Sequence, residues 1–178
     1  MELMPDYFFS DCTSLTDINL GNITSLGKGA FKGYSGLTTI DLKIVTSIGD
    51  SSFKGCSKLK TANLSKITTI NKSTFEDCKS IASIDFGNVS SIGAYAFNGC
   101  ASLTDIELRI PVVLGDSAFN GCSGLRSVAV DDVISWGSGV FGHCSSLTNI
   151  DLGKTSSIGN YAFIDYTSMQ DIDLKKVS

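Results

Sequence analysis

A phenylalanine recurs with a 22-residue period along the whole chain, without an insertion between copies. The positions are Phe9, Phe31, Phe53, Phe75, Phe97, Phe119, Phe141 and Phe163. Eight such periods account for all but two of the 178 residues. A unit this short cannot bury an apolar row alone, so successive copies must stack to form a shared core. The repeat therefore predicts one solenoid domain over residues 1–178.

Further apolar positions keep the same spacing and define the strands. Ile40 and Leu42 lie two residues apart, as do their equivalents in the other copies. A spacing of two is typical of a strand with one buried face. A unit of this length does not hold a full helix besides a strand and two turns, so the back of each rung should be extended or a single 3₁₀ turn. We therefore predict an all-β solenoid of eight rungs, with parallel strands ~4.8 Å apart.

Two positions of the repeat have the composition of turns. The first is the slot of Gly27, Gly49, Gly93, Gly115, Gly137 and Gly159, where Asn71 and Pro5 are exceptions. The second holds Gly33, Gly55, Gly99, Gly121, Asp11, Asp77, Asp165 and His143. Because Gly and Asn tolerate positive φ, we expect a forced turn at the first slot. The second slot predicts a tight turn or the end of a short helical turn.

The repeat unit resembles a known family. The residues that show the resemblance are Leu37-Thr38-Thr39-Ile40-Asp41-Leu42, Ile48-Gly49 and Ala96-Phe97-Asn98-Gly99-Cys100. They are similar to the BspA-like leucine-rich repeat. The resemblance covers all eight rungs. It implies a leucine-rich repeat solenoid at the cell surface or outside the cell, with a role in adhesion or protein binding. It implies no catalytic residues.

The cysteines follow the repeat rather than a metal-ligand spacing. They are Cys12, Cys56, Cys78, Cys100, Cys122 and Cys144. One cysteine per rung cannot place four ligands around one point, as a zinc site requires. Tyr34 and Tyr166 occupy the same slot, which indicates a need for bulk. We predict buried free thiols, and leave open disulfides between neighbouring rungs such as Cys56–Cys78.

The sequence lacks the patterns of an enzyme. His143, the only histidine, lies in a turn slot and neighbours Cys144 only along the chain. A phosphate-binding loop, a dinucleotide fingerprint and a nucleophile elbow are all missing. We therefore predict a non-catalytic protein without metal or cofactor. The net charge of −4 argues against nucleic-acid binding, and no apolar run reaches the ~18 residues of a membrane span.

The outward-facing strand positions are acidic. Sixteen such positions hold eight acids and no base. The acids are Asp17, Asp41, Asp85, Asp105, Glu107, Asp151, Asp171 and Asp173. Stacked like charges repel, so this face is either a solvated, solubilising surface or a docking surface for a basic protein partner, with weak Ca²⁺ binding as a further alternative. Bases such as Lys43, Lys66, Arg109 and Lys154 border it, which also fits self-association.

Rungs five and six replace polar residues by apolar ones. The candidates for an exposed patch are Ile110, Val112, Val113 and Ile134. Val112 and Ile134 are one full period apart, so we expect them to stack. The patch is either a lateral interface or a local repacking around Trp136 and Pro111.

Four Asn-x-Ser/Thr sequons are candidate N-glycosylation sites. They are Asn22, Asn63, Asn71 and Asn88. A glycan at any of them would require secretion by a eukaryotic cell.

The repeat runs flush to both ends of the given sequence. Met1 and Val177 occupy the same slot, and capping units are not recognisable. We expect either a fragment of a longer array or stacking on other copies. The leading functional hypothesis is a surface-exposed module that binds an extracellular or host protein. The alternative is the structural protomer of an extracellular filament built by head-to-tail stacking.

Overall fold

Parallel strands one period apart build the fold, as the repeat predicts. The computed structural model describes residues 2–14 and 18–166, which form about seven turns of a β-solenoid without a helix. Its strands are β1 (Glu2–Met4), β2 (Ile23–Leu26), β3 (Thr39–Ile40), β4 (Ser47–Ile48), β5 (Thr61–Ala62), β6 (Thr69–Ile70), β7 (Ser91–Ile92), β8 (Asp105–Leu108), β9 (Val112–Leu114), β10 (Ser127–Val130), β11 (Val133–Trp136) and β12 (Asn149–Asp151).

The strands form two sides of each rung. One side carries the sheets β1-β2-β4 and β6-β7-β9-β11, and the other carries β3-β5 and β8-β10-β12. Residues of neighbouring strands pair in parallel with their repeat equivalents, as Val128 does with Ile106 and Ile150. A short corner joins the two sides. Most side chains therefore have their repeat equivalents one rung above and below.

The back of each rung is a turn that also bonds to the next rung. Lys32 donates its N–H to the carbonyl of Gly29, three residues earlier, at 2.9 Å. Phe31 donates to the carbonyl of Ser52 in the next rung at 2.7 Å. Successive backbones are thus hydrogen-bonded on this side too, which holds the phenylalanine column in place.

Stacked phenylalanine rings form the centre of the core. From Phe31 to Phe141, consecutive ring centroids lie 5.2–5.4 Å apart and the ring planes differ by no more than 11°. All six of these side chains are fully buried. Aromatic pairs of this kind add to the energy of apolar burial. The phenylalanine of each rung therefore stabilises both the rung and the stack.

The cysteines form a second buried column of free thiols. Five of them are buried, and Cys12 is half-buried. Each buried thiol donates to a phenylalanine carbonyl of the preceding rung, as Cys78 does to Phe53 at 3.0 Å. Burial raises the pKa of the Cys78 and Cys100 thiols, and the neighbouring Cys144 thiol together with burial raises that of Cys122.

The expectation of positive φ at the first glycine slot is wrong. Gly49 and its equivalents do not adopt it. A Cβ on Gly49 would instead lie 2.7 Å from the Gly27 carbonyl carbon of the preceding rung. Glycine is required there because the backbones approach closely. The second slot does have positive φ, with Gly33 at 71° and Asp77 at 60°.

We expect the buried thiols to make the fold sensitive to alkali. Unfolded thiols ionise near pH ~8.5, whereas the raised pKa values keep Cys78, Cys100 and Cys122 protonated in the folded protein. Stability is therefore complete below pH ~8.5 and falls as the pH rises, by about 1.4 kcal/mol per pH unit and thiol. Urea unfolding at several pH values measures this slope. The Cys100→Ala variant should show a shallower slope, and an unchanged slope would contradict the assignment.

Thr155 places a hydroxyl in the core. It occupies the corner column of Val45, Ile67 and Val89, is 1% exposed, and its Oγ1 has no hydrogen-bond partner among the described residues. A buried hydroxyl without a partner costs about 1–3 kcal/mol. We expect Thr155→Val to raise the free energy of unfolding by about 1–2 kcal/mol, measured by urea unfolding. The reverse change in the same column, Val89→Thr, should lower it by a similar amount.

Candidate functional site

The predicted acidic face is exposed where the structure describes it. Asp41, Asp85, Asp105, Glu107 and Asp151 all point outward and are exposed. The other three acids of the prediction, Asp17, Asp171 and Asp173, lie outside the described residues.

One column of these acids accepts backbone hydrogen bonds that were not predicted from the sequence. Asp41 accepts the N–H of Lys43 at 3.0 Å, Asp85 that of Gly87 at 3.0 Å, and Asp151 that of Gly153 at 2.9 Å. Asn19 and Asn63 accept in the same way from Gly21 and Ser65. These are Asx turns, which start the corner between the two sheets. The signal in the sequence is Asp or Asn at one slot in six of the eight rungs.

The two rungs without Asp or Asn at this slot differ in shape. Glu107 and Ala129 occupy it there, and their strands β8 and β10 run on to Leu108 and Val130. Glutamate is one methylene too long for an Asx turn, and alanine has no acceptor. The strands continue because nothing turns the chain at that point.

Part of the acidic charge is neutralised within its own rung. Lys43 lies 3.3 Å from the Asp41 carboxylate, and Arg109 pairs with Glu107. The Lys43 N–H and the ammonium of the same residue hold the pKa of Asp41 below its ordinary value. Asp85, Asp105 and Asp151 have no ion pair within the described residues. The unneutralised charge of the face therefore lies in these three aspartates.

Three depressions form a row along the corner. The first, of about 480 Å³, is lined by Ile18, Leu20, Ile44, Lys43 and Asp41, among others. The second, of about 460 Å³, shares Asp41 and Lys43 with the first and reaches Asp85. The third is smaller and lies between Asp85 and Glu107. Shared linings make the row continuous over rungs one to five.

Among the described residues, the candidate metal and catalytic side chains of the sequence do not come together in one site. Within the described ranges, no group of three or more His, Cys, Asp or Glu side chains is placed to hold a metal ion. His143 pairs through Nδ1 with the exposed Asp165 at 3.1 Å, whereas the Cys144 thiol donates to the buried Phe119 carbonyl. The histidine and the cysteine thus do not form a nucleophile–base pair.

The apolar patch of rungs five and six is smaller than predicted. Val112 is fully buried and pairs with Val133, so the expected stacking of Val112 on Ile134 is wrong. Ile110 is half-buried, whereas Val113 and Ile134 are 36% and 65% exposed.

Pro111 explains this change of register. In other corners a buried residue donates its N–H to close the turn, as Val45 does to Leu42 at 3.0 Å. Pro111 has no N–H, so Val112 takes the buried position and donates to the Asp132 carbonyl of the next rung. Between these paired positions β11 therefore has one residue more than β9, and this extra residue, Ile134, forms a bulge. Trp136 follows, half-buried and edge-on against Phe141 and Phe163.

The four sequons differ in their surroundings. Asn22 and Asn88 lie exposed on the corner. Asn63 is exposed, but its Oδ1 is the acceptor of an Asx turn. Asn71 is half-buried, and its Nδ2 donates to the Ile48 carbonyl at 2.7 Å. Asn22 and Asn88 are thus the two sequons that are exposed and do not serve as acceptors of an Asx turn.

A parallel β-solenoid with short, regular turns and buried columns rich in leucine is a leucine-rich repeat architecture. A family model for the BspA type leucine-rich repeat region matches six copies over residues 2–126 and 90–178. The chain belongs to this family. Members of leucine-rich repeat families are typically protein-binding and non-enzymatic.

Solved bacterial structures share the fold. A leucine-rich repeat protein of T. pallidum is 24% identical, with a TM-score of 0.69 over 92% of this chain and 83% of that one. One from Bacteroides ovatus is 24% identical, with a TM-score of 0.55 over 97% of this chain and 58% of that one. One from Eubacterium ventriosum is 20% identical, with a TM-score of 0.54 over 97% and 64%. Comparison with curated protein sequences gives no match. Among the described residues, no helix has the length and apolar character to cross a membrane.

The Asx turns allow charge and structure to be separated by mutation. We expect Asp85→Ala to lower the free energy of unfolding by about 1 kcal/mol, because the Gly87 N–H loses its acceptor. Asp85→Asn keeps the acceptor and should be close to neutral, as should Asp105→Ala, which removes an exposed acid outside the turns. Urea unfolding compares the three variants. Equal losses for Asp85→Ala and Asp85→Asn would show that the charge matters rather than the turn.

Proposed function

We propose that the chain is a non-catalytic module at the cell surface or outside the cell, which binds a protein partner through its acidic strand face. The observation that carries this proposal is the set of three exposed aspartates without ion pairs among the described residues, Asp85, Asp105 and Asp151, of which Asp85 lines two of the depressions. Like charges held on a rigid surface without counterions attract a basic surface. Membership of a protein-binding repeat family supports the same function.

The shape of the face favours an extended basic segment as the part of the partner that docks. The depressions run along the solenoid axis, and Asp85 and Asp41 stand two rungs apart, or ~9.6 Å. Side chains two residues apart point to the same side of an extended chain and lie ~6.6 Å apart, so two lysines at alternate positions meet both carboxylates with their long, flexible stems. Asp41 already has Lys43 as counterion, and therefore Asp85 should be the stronger anchor.

A surface location belongs to the same proposal and rests on the family. The filament hypothesis stays a prediction of the sequence. It concerns the two ends of the repeat array, and residues 167–178 at the second end lie outside the described residues.

A basic model peptide tests the binding face. The probe is a ten-residue peptide of alternating lysine and threonine, with a glutamate–threonine peptide as its control, and titration calorimetry at low salt measures the affinity. The triple variant Asp85→Asn, Asp105→Asn, Asp151→Asn keeps the Asx turns and should lose at least about fivefold in affinity. The matched variant Asp11→Asn, Asp50→Asn, Asp116→Asn removes three exposed acids elsewhere and should change affinity less than about twofold.

Two results would contradict the proposed face. Equal losses in the two triple variants would mean that only the net charge attracts the peptide. Equal affinity for the basic and the acidic peptide would remove the charge argument altogether. Added salt should weaken the interaction of the unmodified protein, because exposed charges are screened.

A further inference from the structure

Ile134 is an apolar side chain that projects from the corner of the solenoid. It lies in the bulge of β11 and is 65% exposed, more than any other isoleucine, valine or leucine among the described residues. Val113 of the neighbouring rung is exposed beside it. Bulges re-aim side chains in this way, and exposed apolar groups at one place mark a contact.

A depression with apolar walls lies on the same corner, four rungs nearer to the N-terminus. Ile18, Leu20 and Ile44 contribute apolar surface to it, and Lys43 stands at its rim. Ile44 is 41% exposed. Its position in the repeat is that of Asp132, which lies beside the projecting Ile134. The separation of four rungs corresponds to ~19 Å along the axis.

Two segments of the chain carry opposite net charges, whereas residues 1–27 before them contain four acids and no base. Residues 28–79 contain nine lysines and four acids, a net charge of +5. Residues 80–166 contain three bases and eight acids, a net charge of −5. The depression lies where residues 18–21 meet the basic segment, with Lys43 at its rim, and the projection lies in the acidic segment, where Asp131 is exposed next to it. Lys43 at the rim of the depression and Asp131 beside the projection therefore have opposite charges, as a contact between two copies requires.

We propose that two copies of this chain associate side by side and antiparallel along this corner, with Ile134 of each copy in the Ile18–Ile44 depression of the other. Projection and depression lie on one corner of the same rod, so a single two-fold axis midway between them satisfies both contacts. The corner residue Asn88 is equidistant in sequence from Ile44 and Asp132, and the axis passes close to it.

The antiparallel arrangement is preferred over a parallel one for a geometric reason. A parallel copy displaced by four rungs makes one projection–depression contact per pair, and leaves one of each unfilled. The antiparallel pair makes two contacts and closes the assembly as an isologous dimer. It also brings the basic residues 28–79 of each copy beside part of the acidic segment 80–166 of the other. This inference goes beyond the proposed binding of a basic partner and does not depend on it.

Sedimentation equilibrium of the full chain tests the association. The unmodified protein should form a dimer at concentrations on the order of 10–100 μM, and salt should weaken it. Ile134→Ser should raise the dimer dissociation constant at least about tenfold. Ile164→Ser, which changes an exposed isoleucine on the back of a rung, should leave it unchanged. The charge reversal Lys43→Glu should weaken the dimer, and Asp131→Lys added to it should restore association.

A cysteine on the predicted axis distinguishes the antiparallel from the parallel arrangement. Asn88→Cys places one exposed thiol at the axis in each copy, and mild oxidation should cross-link it to a dimer. Asn22→Cys lies on the same corner three rungs from the axis and should not cross-link. A protein that remains monomeric at the highest concentration would overturn the proposal. Mass that keeps growing with concentration, or cross-linking of Asn22→Cys as efficient as that of Asn88→Cys, would overturn the antiparallel dimer.

Discussion

The close, in-register stacking of rungs is the constraint on which the rest of the structure depends. Strands ~4.8 Å apart place each side chain directly over its repeat equivalent. Each column must therefore consist of residues that can pack directly against their equivalents in the neighbouring rungs. Phenylalanine satisfies this by ring stacking, and cysteine by a thiol that bonds to the preceding backbone. Gly49 satisfies this requirement because it has no side chain at a point where the backbones of two rungs approach closely.

Self-compatibility also limits charge on the surface. A column of aspartates one rung apart would repel itself, yet Asp41, Asp85 and Asp151 recur at one slot. The structure resolves this conflict in three ways. The carboxylates accept backbone N–H groups, Asn19 and Asn63 alternate with the aspartates, and Lys43 supplies a counterion to Asp41. The acidity of the face is thus partly a consequence of corner geometry, and among the described residues only Asp85, Asp105 and Asp151 carry its charge without an ion pair.

The 22-residue period predicts the features that every rung shares. Features that depend on single hydrogen bonds were not predicted. The stacking of the rungs, the parallel direction of the strands and the buried columns all follow from the spacing of Phe53 and its equivalents. The Asx turns were missed because their signal, Asp or Asn at one slot in six rungs, also fits an exposed acidic face. The place of Val112 was predicted wrongly because Pro111 lacks the N–H that closes other corners. For the first glycine slot, the composition was informative, but the physical reason is contact between rungs rather than positive φ.

Specific recognition in a regular solenoid has to come from residues that break the period. Identical columns present the same surface at every rung, so a partner could bind at any register along them. Three departures from the repeat lie on one corner: Lys43 and Ile44 near one end, Arg109 to Val113 in the middle, and Asp131 to Ile134 beyond it. Each differs from its neighbours in charge or in apolar exposure. Because their order along the axis is fixed by the stack, these departures give this corner both a register and a direction.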